Sequence, residues 1–135
     1  MAVPTILQAI YDAYREKRLE DVLSCVDDDF RFIIQLPEEL FPGGNTPRDK
    51  TETAEIMRHY MESYDFVSYD PGPIIVTGDK ATAQPHVRLR HKRSGKVLDT
   101  KFRHLWHIKD GKVAVLEESF DLPAIEAFLK SVSEG

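Results

Sequence analysis

The stretch KVLDTKFRHLWHIKDGKVAVLEESF, Lys96 to Phe120, decides the fold. Asp110-Gly111 at its centre is the strongest short hairpin signal, because a type I′ turn requires positive φ at both central residues. A two-residue loop there fixes the register. It sets Ile108 against Val113, Trp106 against Val115, His104 against Glu117, Phe102 against Ser119 and Thr100 against Asp121. Working outward, a second two-residue loop at Ser94-Gly95 puts Thr100 beside Leu89 and Phe102 beside Val87. One face of this sheet then carries Ile108, Trp106, Phe102, Val113, Val115, Val87 and Leu89. The other carries Lys101, Arg103, Lys109, Lys112, Arg88 and Arg90. The apolar face is the inner one.

Four strand candidates follow one another, at about 66–77, 80–92, 96–109 and 112–120, with Gly78-Asp79 as the remaining turn. Strands this long exceed the usual five or six residues, and long strands in a twisted sheet curve. Upstream, Ile6, Leu7, Ile10, Ala13 and Tyr14 recur at helical spacing and predict a helix over 4–17, with Pro4 suited to its first turn. A short helix over 19–26 carries Leu19, Val22, Leu23 and Val26, and Asp27-Asp28-Asp29 is predicted to end it in a solvated turn. Residues 30–36 read as a strand. Residues 37–47 read as a loop whose aromatic, Phe41, is placed to act as a flap. Asp49 with Glu52 forms a capping-box pattern. The helix it opens runs to about residue 64 and buries Thr53, Ile56, Met57, Tyr60, Met61 and Tyr64 on one face. A closing helix spans 123–132. Helices first and an antiparallel meander after them predict one α+β domain over 1–135. Its curved, cone-shaped, mostly antiparallel sheet is roofed by the N-terminal helices and followed by a short C-terminal helix.

The chain has 135 residues and a formal charge of −5, from 18 basic and 23 acidic side chains. That balance lacks the field of a nucleic-acid binder, and the basic outer face has no interleaved aromatics. One cysteine forbids an internal disulfide, and no apolar run approaches the ~18 residues of a membrane span. A cytoplasmic location without a membrane or nucleic-acid partner is the expectation. His86 and His91 lie on opposite faces of a strand, as do His104 and His107, and no HExxH or paired CxxC spacing occurs, so no metal is expected.

Three ionisable groups fall on the apolar face: His104, Glu117 and Asp121. Carboxylates are almost never buried without a partner, and a carboxyl among aromatics is a base placed for proton transfer. His104 and Glu117 are cross-strand partners in this register and form a candidate dyad. Asp121 is a candidate base and also a candidate N-cap, since Asp is a preferred cap and Pro123 follows at a compatible position. Tyr14 is a candidate oxyanion donor. Ile34, Met57, Tyr60, Leu89, Phe102, Trp106 and Ser119 are the expected pocket wall.

The order of elements, with Lys17-Arg18-Leu19-Glu20-Asp21-Val22-Leu23, Asp28-Asp29-Phe30-Arg31-Phe32 and Leu105 to Val113, resembles the nuclear transport factor 2-like superfamily. That superfamily includes ketosteroid isomerase and the SnoaL-like polyketide cyclases. Ser119-Phe120-Asp121 leading into a short helix is similar to SnoaL-like members. The resemblance implies a general-base aspartate at Asp121 and a histidine at His104 or His107. It places Ile34 where the steroid isomerase has its base, and that enzyme's helix-one tyrosine near Ile10, beside Tyr11. It also implies a homodimer through the outer sheet face.

These readings converge on a cofactor-independent isomerase, cyclase or dehydratase-type enzyme acting on a small hydrophobic carbonyl compound by acid–base proton transfer. The alternative is a non-catalytic small-molecule-binding or scaffold dimer of the same fold.

Overall fold

Pro4 stands in the first turn of α1 (Val3–Arg15), and the expected stripe buries Leu7, Ile10, Tyr11 and Ala13. These positions come from a computed structural model that describes residues 2–134. Helix α2 (Leu19–Ser24) buries Val22. Strand β1 (Val26–Ile34) starts earlier than the sequence predicts. The three aspartates assigned to a turn therefore belong to the strand. They are tolerated because β1 is the edge of its sheet, where charged side chains stay in water. Its register slips between Val26 and Arg31. Helix α3 (Lys50–Ser63) carries the full capping box: Asp49 Oδ1 accepts from the Glu52 amide at 2.9 Å, and Glu52 Oε1 accepts from the Asp49 amide at 3.3 Å.

Three of the four predicted long strands each divide in two. The products are β2 (Tyr64–Asp70) with β3 (Ile75–Thr77), β4 (Lys80–Ala83) with β5 (His86–His91), and β6 (Val97–Lys101) with β7 (Arg103–Lys109). Pro71 and Pro73 interrupt the first pair and Pro85 the second, because proline has no N–H to give a ladder. The third divides at Phe102, whose amide bonds the Pro85 carbonyl at 2.9 Å. Strand β8 (Lys112–Ser119) stays whole, and α4 (Leu122–Glu134) ends the described chain. The breaks fold the meander into two sheets, β1-β8-β7-β4-β3 and β2-β5-β6. Strand β1 runs parallel to β8, and every other pair is antiparallel. The result is the expected α+β architecture: a curved, unclosed mixed sheet with its core between the inner face and the helices. Leu7 and Ile10 of α1, Met57 of α3 and Phe128 of α4 pack there with Phe30, Val87 and Trp106.

The turns set the faces. Gly78-Asp79 is the two-residue loop expected, with Thr77 opposite Lys80. The loop at Ser94-Gly95 is longer, since the His91 amide bonds the Lys96 carbonyl and the Gly95 amide the His91 carbonyl. Val87 therefore meets Thr100, and Leu89 meets Leu98. This is a slip of two residues, so the inner face keeps its members. Asp110 and Gly111 take φ of 52° and 75°, as a type I′ turn requires. Ile108 meets Val113 as expected, but the next pair is His107 with Val115. Ala114 is an extra residue, a bulge on β8.

On the outer face of the smaller sheet the charges pair within the chain. Asp99 lies 2.7 Å from His86 and 3.2 Å from Arg88, and Asp65 lies 3.0 Å from Arg90. No helix among the described residues is long and apolar enough to cross a membrane.

Candidate functional site

The bulge decides which side chains of β8 point inward. Beyond it Trp106 faces Leu116, and His104 faces Glu118. Leu116, Glu118 and Phe120 line the interior, while Val115, Glu117 and Ser119 turn away. Glu117 is thus not the partner of His104. It accepts instead from outward-facing His107, Nε2 to Oε2 at 2.6 Å, and from Gln35 Nε2 at 3.3 Å. Ser119, expected in the wall, pairs with Arg103 on the outer side, Nε donating to Oγ at 3.2 Å.

Asp121 does not reach the interior. It is exposed, its Oδ1 accepts from the Ala124 amide at 3.3 Å, and its carbonyl takes the amide of Ile125. This is the N-cap geometry, and it turns the carboxylate toward solvent.

Between sheet and helices lies a cavity of about 150 Å³. Ile34, Met57, Tyr60, Leu89, Phe102 and Trp106 are among the residues that line it. The loop after β1 contributes Leu36, Leu40 and Phe41. Arg48 clasps that loop: its guanidinium stands 5.2 Å over the Phe41 ring and donates to the Pro42 carbonyl at 2.6 Å. Gly43, at φ +87°, passes so close to Arg48 that a Cβ would lie 2.2 Å from a guanidinium nitrogen. The positive φ, rather than the approach to the flexible end of Arg48, is what favours glycine there.

One hydrogen-bonded chain crosses the apolar wall. Trp106 Nε1 donates to Tyr11 Oη at 2.9 Å. Tyr11 Oη lies 2.6 Å from His104 Nδ1, and His104 Nε2 lies 2.6 Å from Glu118 Oε2. The indole can only donate and the carboxylate can only accept, so with a neutral imidazole the donors run one way. Trp106 gives to Tyr11, Tyr11 to Nδ1, and Nε2–H to Glu118. His104 is 5% exposed and stacks on the Tyr11 ring at 5.6 Å. Glu118 lines the cavity with its side chain 14% exposed, and its Oε1 has no protein partner among the described residues.

The other phenols face the same space. Tyr14, Tyr60, Tyr64 and Tyr69 line it, and no hydrogen bond from their hydroxyls to the protein is seen among the described residues. Burial pushes the phenols of Tyr14, Tyr60 and Tyr69 well above their ordinary value of 10.0, and the Glu118 charge adds to the shift. They stay neutral hydrogen-bond donors. No group of metal-ligating side chains occurs among the described residues.

Sequence reasoning missed two members, Tyr11 and Glu118. Tyr11 has a signal: it sits on the apolar stripe of α1, beside the position to which the family resemblance assigns a tyrosine. Glu118 has a fainter one. Leu116 and Phe120 share its parity, whereas Val113 does not, and that switch marks a bulge between them.

The SnoaL-like domain family matches residues 7–116 of this chain. Solved structures share the fold. An NTF2-like protein of unknown function from Burkholderia pseudomallei superposes with a TM-score of 0.78 at 21% identity, covering 92% of this chain and 94% of that one. TerC, co-crystallised with polyporic acid, gives 0.80 at 21% identity over 93% and 96%. The candidate polyketide cyclase IdmH from Streptomyces antibioticus gives 0.77 at 17% identity over 94% and 97%. Among curated proteins no sequence matches. Identities this low establish the fold alone, and the family match stops at Leu116, before Glu118. A match over most of the chain, carried on the helix-roofed curved sheet, makes this protein a member of the SnoaL-like domain family.

Proposed function

We propose that the protein is a proton-transfer enzyme of the isomerase or cyclase type, with Glu118 as its base. One observation carries this reading: a carboxylate is fixed through Oε2 to a buried His104–Tyr11–Trp106 chain, leaving Oε1 for a ligand in an apolar, phenol-lined cavity.

The chemistry follows from the donor inventory. Glu118 Oε1 takes a proton from a carbon next to a carbonyl. The C–H electron pair moves into a new C=C bond, and the charge collects on the carbonyl oxygen. A neutral phenol, Tyr14 or Tyr60, donates to that oxygen. The protonated Glu118 then returns its proton, either to the same carbon, which regenerates the ketone and shows only as exchange, or to a conjugated carbon, which shifts the double bond and makes the step an isomerisation. If the enolate carbon instead attacks a second carbonyl, the product is a ring. No cofactor enters this sequence of bonds. His104 is a positioning residue here: it holds the carboxylate in one rotamer and is itself held by Tyr11.

The test is solvent-deuterium exchange at the α-carbon of small ketones, followed by NMR. Wild type should catalyse exchange, and Glu118→Gln should lose it by about 10²–10⁴-fold, the usual share of a general base. Exchange unaffected by Glu118→Gln would end the reading. Asp121→Asn should leave exchange unchanged.

A further inference from the structure

We infer that the cavity selects a neutral compound built on a single six-membered ring and bearing a carbonyl oxygen. The inference rests on the proposed base and adds the class of molecule presented to it.

Size comes first. The cavity holds about 150 Å³. An apolar cavity of roughly this volume accepts one benzene-sized molecule. A fused second ring does not fit without displacing the wall. The cavity is partly open, and its walls are set by named elements: α1 and α3 bound one side with Ile10 and Met57, the inner sheet face bounds another with Trp106 and Leu116, and Phe41 stands on the loop that Arg48 clasps.

Charge comes second. No lysine or arginine is among the lining residues, and the carboxylate of Glu118 is the one acidic group there. An anion entering would shed its hydration, find no cation and meet a like charge, a combination apolar sites do not tolerate. Carboxylates, phosphates and thioesters that bury a phosphate are excluded on this ground.

Polarity comes third. The phenols of Tyr14 and Tyr60 are donors without protein acceptors among the described residues, and burial keeps them protonated. They ask for an acceptor oxygen on the ligand. A ketone supplies one, whereas a plain hydrocarbon leaves them unpaired. The aromatic faces of Tyr14, Phe66 and Tyr69, packed within 5.3–6.3 Å of one another, favour a flat ring.

The experiment is equilibrium binding by calorimetry to the full chain, both wild type and Glu118→Gln. The probes are cyclohexanone, 2-cyclohexenone, cyclohexanecarboxylate, benzyltrimethylammonium, 1-decalone and a four-ring steroid ketone. The two monocyclic ketones should bind at least tenfold more tightly than any other probe. The Phe41→Ala variant, which shortens a loop side chain at the wall and is checked for native circular dichroism, should gain at least tenfold for 1-decalone. Three results overturn the inference: decalone or the steroid binding wild type as well as cyclohexenone does, either ion binding more tightly than the ketones, or neither monocyclic ketone binding up to its solubility limit. The two readings fail separately. Cyclohexenone that binds but exchanges no α-proton removes Glu118 as base and leaves the ring-size selection standing. Exchange of decalone at an equal rate does the reverse.

Discussion

His104 Nε2 and Glu118 Oε2 lie 2.6 Å apart across the β7–β8 ladder, and one surplus residue, Ala114, puts them there. Without the bulge the hairpin turn would bring Glu117 to the same place. Deleting Ala114 should therefore remove the bulge and still leave today's Glu118 opposite His104, because every residue beyond the deletion moves one step toward the turn. A crystal structure of the deletion variant checks this. A ladder in which Glu117 instead enters the cavity would mean that burial of Leu116 and Phe120 does not govern the register.

The two histidine–carboxylate pairs should differ in what they contribute to stability. Truncating Glu118 to Ala strands the Nε2–H of a histidine that is 5% exposed, at a cost of about 1–3 kcal/mol. Glu117→Ala opens a pair whose side chains are 32% and 26% exposed, and should cost less than about 1 kcal/mol. Urea unfolding of both variants measures the difference; equal losses would contradict it.

Tyr11 and Tyr14 are one helical turn apart and should respond oppositely to loss of their hydroxyls. Tyr11→Phe leaves both Trp106 Nε1–H and His104 Nδ1 without their partner, and should cost about 2–4 kcal/mol. Tyr14→Phe removes no protein hydrogen bond among the described residues and should change stability by less than about 1 kcal/mol. It should nonetheless slow α-proton exchange if the phenol meets the enolate oxygen. Thermal melts beside exchange rates separate the two effects.

Asp121 should behave as a cap. Asp121→Ala should cost about 0.5–2 kcal/mol, and Asp121→Asn much less, since asparagine caps about as well. Neither should alter exchange at saturating ketone. A loss of turnover in Asp121→Asn with an unchanged melting temperature would return this residue to the chemistry.

Alkaline pH should unfold the protein cooperatively. Burial, first of all, raises the phenols of Tyr11, Tyr14, Tyr60 and Tyr69 above 10.0. The unfolded chain releases these protons near pH 10 while the folded chain keeps them, so the unfolded state binds fewer protons and stability falls as pH rises. The contribution is fully present below that pH. Above it, each such tyrosine removes about 1.4 kcal/mol per pH unit. Tyrosinate absorbance should then appear together with loss of circular dichroism. Gradual ionisation in a protein still folded would show the phenols to be accessible.

The sequence by itself determined the four helices, the last hairpin and the order of helices and strands, because each rests on local physics. Apolar spacing made α1, the Asp49–Glu52 box started α3, and Asp110-Gly111 placed the last hairpin. Most of the pocket wall was legible for the same reason, since alternation survives a slip of two residues at the Ser94-Gly95 loop. His104 was legible because it lies on β7, whose face is carried by Phe102 and Trp106. The choice between Glu117 and Glu118 was not. Adjacent carboxylates fall on opposite faces, and because Val113 to Leu116 is apolar throughout, the parity shared by Leu116, Glu118 and Phe120 is only a faint mark of the unpaired residue. Only packing of Leu116 and Phe120 into the shared core selects the face, and that is a contact with distant elements. Tyr11 is the same case: its ring is placed by α1, but its function is conferred by two side chains more than ninety residues away, His104 and Trp106.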